Sequence, residues 1–171
     1  ETTINGKQYK MRRHGFLRKM MPTTINKEEG SVELIFEANA QTLQQYPYNF
    51  RVPVGFKLDN NSLINTFKVE NLGTDAMPFN IGAHPAFAIP FAKDETIEDC
   101  YIAFEKNETA SRHMIDNNGL FTGEQIPVLN NSTDLPITKD IFNEDALIFK
   151  DLQSRVATIK SKKSKKEVSV S

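Results

Sequence analysis

An all-β fold, an antiparallel β-sandwich, is predicted by three observations. Hydrophobic residues alternate with polar ones in short segments, turn-forming residues separate those segments, and helical periodicity is scarce. No segment alternates strands with long helices, so a parallel α/β sheet is not expected. No internal repeat is present.

The strands follow in order. The opening Glu1-Thr2-Thr3-Ile4-Asn5-Gly6-Lys7 reads as the tip of a hairpin. Val32 to Glu37 alternates with period two. Arg51 to Leu58 puts Val52, Val54, Phe56 and Leu58 on one face. Asp59-Asn60-Asn61-Ser62 is turn chemistry, and Leu63 to Glu70 returns as the second arm of a hairpin. Asn71 to Asp75 makes the next turn. Met77 to Ile81 reads as strand-like and leads to Gly82. Further strands are expected at Cys100 to Glu105, Ala146 to Phe149, Val156 to Lys160 and Glu167 to Val170. Helix is expected only at Ala40 to Tyr46, where Pro47 stops it, and as a 3₁₀ turn at Ile141 to Glu144.

Composition narrows the function classes. Hydrophobic residues make up 39%, charged residues 25%, and the formal net charge is -1 over 171 residues. That describes a globular chain long enough for a buried core, read here as a single domain over 1–171. A near-zero charge speaks against nucleic acid or an anionic membrane as partner. No apolar run is long enough to span a bilayer. One cysteine, Cys100, excludes an internal disulfide and favours a reducing, cytoplasmic compartment. It falls on a strand pattern and is read as core. The basic run Lys160 to Lys166 lies between two alternating segments, so it reads as a solvated hairpin loop rather than a nucleic-acid patch. The oligomeric state has no signature.

The chain opens without Met and stops at Val168-Ser169-Val170-Ser171, inside an alternating pattern. A strand cut there would leave its partners without ladder bonds. The expectation is a fold incomplete at both ends, the central part of a longer domain.

Three histidines are the first candidates for chemistry, because imidazole titrates near neutrality. His84 lies in Gly82-Ala83-His84-Pro85-Ala86-Phe87. Gly82 permits close approach of a backbone or ligand, and Pro85 biases His84 to an extended conformation. Two readings stand: an imidazole offered to a ligand at a strand end, or a buried structural histidine. His14, in Arg13-His14-Gly15-Phe16-Leu17-Arg18, is similar, but there the motif alone favours the structural reading. His113, in Ser111-Arg112-His113-Met114, reads as a solvent-facing loop residue. No histidine has metal-ligand spacing, and no phosphate loop or nucleophile elbow occurs.

Arg13 to Arg18, Tyr46-Pro47-Tyr48-Asn49-Phe50, Ile81 to Phe87 and Asp145 to Phe149 occur in the order seen in aldose 1-epimerase-like proteins. Over essentially its whole length the chain resembles that family, and within it the LacX-like branch. The resemblance implies a galactose mutarotase-like supersandwich with a sugar site in a cleft. It implies interconversion of α and β anomers of an aldohexose or its phosphate, with no cofactor and no metal. His84 matches the general acid toward the ring oxygen. His14 matches a second histidine near that oxygen. Asp145 matches an aspartate that binds sugar hydroxyls. Arg18 follows a pattern shared with the branch acting on hexose 6-phosphates. The family's general base, a glutamate, has no counterpart here, nor does an arginine upstream of the first histidine motif. Glu105 and Glu144 are carboxylates outside the family's context. A non-catalytic sugar-binding module on the same fold is the competing expectation.

Overall fold

Turn chemistry organises the first part of the chain. Asn5 and Gly6 both have positive φ, 49° and 76°. They close a hairpin between β1 (Thr2–Ile4) and β2 (Lys7–Tyr9). Two positive φ values match the twist of the arms, and glycine takes the second without a Cβ penalty. The computed structural model describes residues 2–11 and 14–171. The described fold is all-β and antiparallel, with sheets of two, five and four strands. It divides into two compact units, one ending at Gly82 and one beginning at Ala83.

In the first unit, β3 (Thr24–Glu28), β4 (Ser31–Glu37), β5 (Phe50–Asp59) and β6 (Ser62–Phe67) form consecutive antiparallel neighbours. The two-residue β7 (Glu70–Asn71) also pairs β5. The expected hairpin is present: Asp59 pairs Ser62, and Asn60 takes φ 51°. Its second arm breaks at Lys68 and Val69 before pairing resumes at Glu70. The β5 face sinks along its length, from buried Val52 and Val54 through half-buried Phe56 to exposed Leu58. Strand β3, which the apolar pattern does not reveal, is an edge strand with every residue exposed. Its ladder with β4 alone defines it.

The expected helix is shorter than the pattern suggests. α1 (Ala40–Leu43) is one turn, continued by Gln45 and Tyr46 amides donating to the Thr42 carbonyl. The Asn39 side chain accepts from the Gln41 and Thr42 amides, and the Thr42 hydroxyl accepts from the Asn39 amide. This reciprocal capping stabilises an element too short to persist alone. It delivers Tyr46 to the core, where Phe36, Tyr46, Phe50, Val52 and Val54 are buried together.

The second unit is built on β8 (Cys100–Ile115) and β9 (Phe121–Pro136), with β10 (Ala157–Ser161) and β11 (Glu167–Val170) on the other side of β8. Strand β8 starts where expected but runs on past Glu105, and β9 was not expected at all. Register shifts mark β-bulges along the pair. Phe104, Leu129 and Leu135 form the core, with Ile141, Leu147, Phe149 and Leu152 packed against it. Cys100 is fully buried.

Two expected strands are absent. Residues 77–81 and 146–149 join no ladder. Pro78 has no N–H to donate. The second segment makes one ladder-like bond, from the His113 amide to the Ile148 carbonyl at 2.9 Å. Residues 141–144 form turns with bonds from Ile141 to Thr138 and from Asn143 to Asp140 rather than a regular 3₁₀ helix. The 3₁₀ turns lie instead at Leu17–Lys19 and Ile97–Asp99.

The basic loop does join β10 to β11, but it is docked rather than simply solvated. Lys163 Nζ pairs with Asp99 at 2.9 Å, the Lys162 amide donates to the Asp99 carbonyl, and Lys166 Nζ donates to the Phe91 carbonyl. The Thr96 amide, first, and Lys163 hold the Asp99 carboxyl down to about 2. An acidic stretch thus meets the lysines within the unit. Among the described residues, no helix is long and apolar enough to cross a membrane.

Candidate functional site

His14 stands on a strained turn with a fixed base. Its φ is 64°, followed by 62° at Gly15. A left-handed conformation costs a non-glycine residue about 1–2 kcal/mol, so something must hold it. Phe16 provides the anchor. Its ring lies 5.9 Å from Tyr46 and 5.6 Å from Phe50, both tilted, and Tyr46 lies 4.8 Å from Tyr48. Leu17 and Met20 join the same core, and the Leu17–Lys19 turn closes with Lys19 and Met20 amides donating to Phe16 and Leu17 carbonyls. With Phe16 and Leu17 packed against that core, His14 and Arg18 are left exposed. Arg13 lies outside the described residues.

Tyr46 extends this anchor to a third motif. Its hydroxyl donates to the Pro78 carbonyl at 2.6 Å. Burial, then the neighbouring Tyr48, push its ionisation above the usual tyrosine range, so it stays a donor. Met77 packs in the same core. The first histidine motif, the Tyr46–Phe50 motif and the approach to Gly82 therefore converge on one aromatic cluster. Phe16, Tyr46 and Phe50 build the site by packing rather than by chemistry of their own. Their signal was the presence of an aromatic residue in each of two motifs separated in sequence. Tyr46→Phe should cost about 0.5–1.5 kcal/mol, the net value of one hydrogen bond, read from the urea midpoint. An unchanged midpoint would remove that bond from the account.

His84 lies beyond Gly82 in the second unit, in a segment without a ladder, and is exposed. The reading of His84 as a buried structural histidine is thereby corrected. Among the described residues, a Cβ at Gly82 would meet no atom within 4 Å. Phe79, Ile81 and Phe87 around it are also exposed.

Asp145, also exposed, has φ 71° and folds its carboxylate onto the Ala146 amide at 2.7 Å. On one side of it, Glu144 is paired with Arg112 of β8. On the other, the Ile148 carbonyl takes the His113 amide. His113 is not a solvent-facing loop residue. It sits on β8, half-buried, edge-on to Phe121 at 6.0 Å. Glu105 accepts the Arg155 amide at 3.0 Å. Both carboxylates considered for the base, Glu105 and Glu144, thus have structural bonds. Among the described residues, no three His, Cys, Asp or Glu side chains gather in a metal-binding group.

The family model for aldose 1-epimerase matches residues 1–171. Two LacX proteins of Lactococcus lactis subsp. lactis, one plasmid-borne and one chromosomal, are each 36% identical over 163 residues. The match takes in 94% of this chain and 54% of each of theirs. A galactose mutarotase related enzyme from Lactobacillus acidophilus superposes with a TM-score of 0.88 at 27% identity, over 98% of this chain and 56% of that one. A galactose mutarotase-like protein from Lactobacillus casei ATCC 334 gives 0.86 at 25% identity, over 98% and 57%. The all-β antiparallel fold of the galactose mutarotase-like proteins is the fold observed. The chain spans about half the length of the curated relatives it matches.

Proposed function

Because the chain belongs to the aldose 1-epimerase family, we propose that the protein carrying it interconverts the α and β anomers of an aldose by acid–base opening and reclosing of the ring. The reading rests most on the His14 turn: an exposed imidazole in a strained conformation, held by an aromatic anchor that two of the matching motifs share. Strain kept in place by buried neighbours is a feature of functional sites.

The chemistry suits the residues. Ring opening needs a proton delivered to the ring oxygen and another taken from the anomeric hydroxyl. Imidazole is the side chain suited to proton delivery near neutral pH, and a histidine can supply the first. In this proposal His84 is that acid, and His14 donates a hydrogen bond to the sugar. Asp145 accepts from sugar hydroxyls. The base is a carboxylate outside the roles that Glu105 and Glu144 fill. No cofactor enters the reaction, and the sugar is met in a cytoplasmic compartment.

A second reading, a hexose 6-phosphate substrate, is favoured by one observation. Residues 2–27 carry Lys7, Lys10, Arg12, Arg13, Arg18, Lys19 and Lys27 with no Asp or Glu, in a chain of net charge -1. Arg18 is exposed on the His14 turn itself. A guanidinium beside the sugar site is suited to a phosphate.

Polarimetry of a freshly dissolved α-aldose tests both readings. The protein should accelerate the approach to anomeric equilibrium, and a preference for the 6-phosphate would select the second reading. Sugar binding without acceleration of any common hexose or its 6-phosphate would leave a non-catalytic binding module. A sugar-bound structure with His14 and His84 on opposite sides of the ligand would break the assignment of roles.

A further inference from the structure

Strand β10 has an interrupted continuation. Its first residue, Ala157, pairs Phe104 of β8. His113 lies nine residues beyond Phe104, and its amide bonds to Ile148, nine residues before Ala157. The two ends of this stretch therefore keep one register along β8. Between them the ladder is missing, and side chains of β8 replace it. Glu108 Oε2 accepts the Gln153 amide at 3.2 Å. Its Oε1 accepts the Ser154 amide and the Ser154 hydroxyl, both at 2.7 Å. Glu105 takes the Arg155 amide, and the Lys106 amide donates to the Ser154 hydroxyl at 3.0 Å.

Glu108 is only 2% exposed. A buried carboxylate is costly unless its oxygens are satisfied, and here both are. The Ser154 hydroxyl, then the Gln153 and Ser154 amides, hold its pKa below the ordinary glutamate value against the opposing effect of burial. It is a charged acceptor placed where a backbone carbonyl would otherwise stand. The stretch that it ties down begins immediately after Asp145.

We propose that Glu108 is a positioning residue: a carboxylate latch that fixes the 145–154 segment on β8 and thereby places Asp145 for the sugar. This rests on the sugar-binding role of Asp145 proposed above. The latch predicts coupling along the segment. Loosening residues 153–154 should loosen Ile148, since a single ladder-like backbone bond ties that end to β8.

The test compares Glu108→Gln, Ser154→Ala and Asp145→Asn in the protein carrying this chain. Gln presents an NH₂ to donors where Glu presents an oxygen, so one side of the latch is lost. Hydrogen exchange should quicken at the Gln153 and Ser154 amides and also at the His113 amide. The KM for the sugar should rise about 10-fold, the scale of one lost polar contact, with kcat within about 3-fold. Ser154→Ala leaves the carboxylate in place and should shift both readouts in the same direction by less. It serves if Glu108→Gln folds poorly. Unchanged exchange at His113 in both variants overturns the latch. Faster exchange with an unchanged KM, while Asp145→Asn raises KM, overturns its role in placing Asp145. An unchanged KM in Asp145→Asn instead overturns the sugar-binding role of Asp145, and the positioning role with it.

Discussion

Replacing His84 with asparagine should slow anomerisation by about 10²–10⁴-fold, the contribution of a positioned general acid. That is roughly 2.7–5.5 kcal/mol of barrier. Asparagine keeps a hydrogen-bond donor of similar reach but holds no transferable proton near neutral pH. The loss should therefore fall on kcat, with KM little changed. His84 is exposed in a segment without ladder bonds. The unfolding free energy should then move by less than about 1 kcal/mol. A large rate loss with near-native stability separates an acid from a structural histidine. Polarimetry on the purified variant reads the rate, and wild-type kinetics would remove His84 from the mechanism.

Strands were legible where one face of a regular ladder meets the core. In β4 and β5 alternation survives because their pairing keeps one register without a bulge, so each residue keeps one face. The β5–β6 hairpin was legible because Asn60 supplies the left-handed conformation that its turn needs. Strand β3 was hidden because an edge strand with both faces exposed has no reason to alternate. Strand β9 was hidden by its bulges. Gly123 and Asn131 take positive φ, and Val128 and Leu129 stand side by side where alternation would separate them. Each bulge shifts the phase, so a 16-residue strand reads as turns and loops. The segment at Ala146 to Phe149 has the converse character. Its apolar residues pack on the second core, but one backbone bond does not make a ladder.

The candidate site was legible as residue types in motifs, not as architecture. His14 stood out by its glycine, but the left-handed conformation of His14 itself has no local signature. Phe16 meets Tyr46 and Phe50 only after the sheet has formed. Glu108 was invisible for the same reason. Its partners are more than forty residues away, and only pairing between β8 and β10 brings them within reach.

Phe50→Ala should destabilise the protein by about 3–5 kcal/mol, the range for truncating a buried aromatic residue. Phe50 is 3% exposed and sits where three structural demands meet. It starts β5, accepts the Ala38 amide at its carbonyl, and contacts the rings of Phe16 and Tyr46. Alanine leaves a cavity under both rings and loses the aromatic contacts in addition to the buried area. Phe50→Leu fills much of that volume and should cost less, which separates packing from ring geometry. Urea unfolding of the two variants reads the difference. A cost under about 1 kcal/mol for alanine would mean that the cluster collapses to fill the gap. The turn that carries His14 would then not depend on a rigid anchor. With the expected cost, Phe16 loses its backing, and the strained turn at His14 and Gly15 relaxes toward ordinary φ. Activity in Phe50→Ala should then fall even at temperatures where the protein remains folded. That links the buried core of the first unit to the chemistry proposed at its surface.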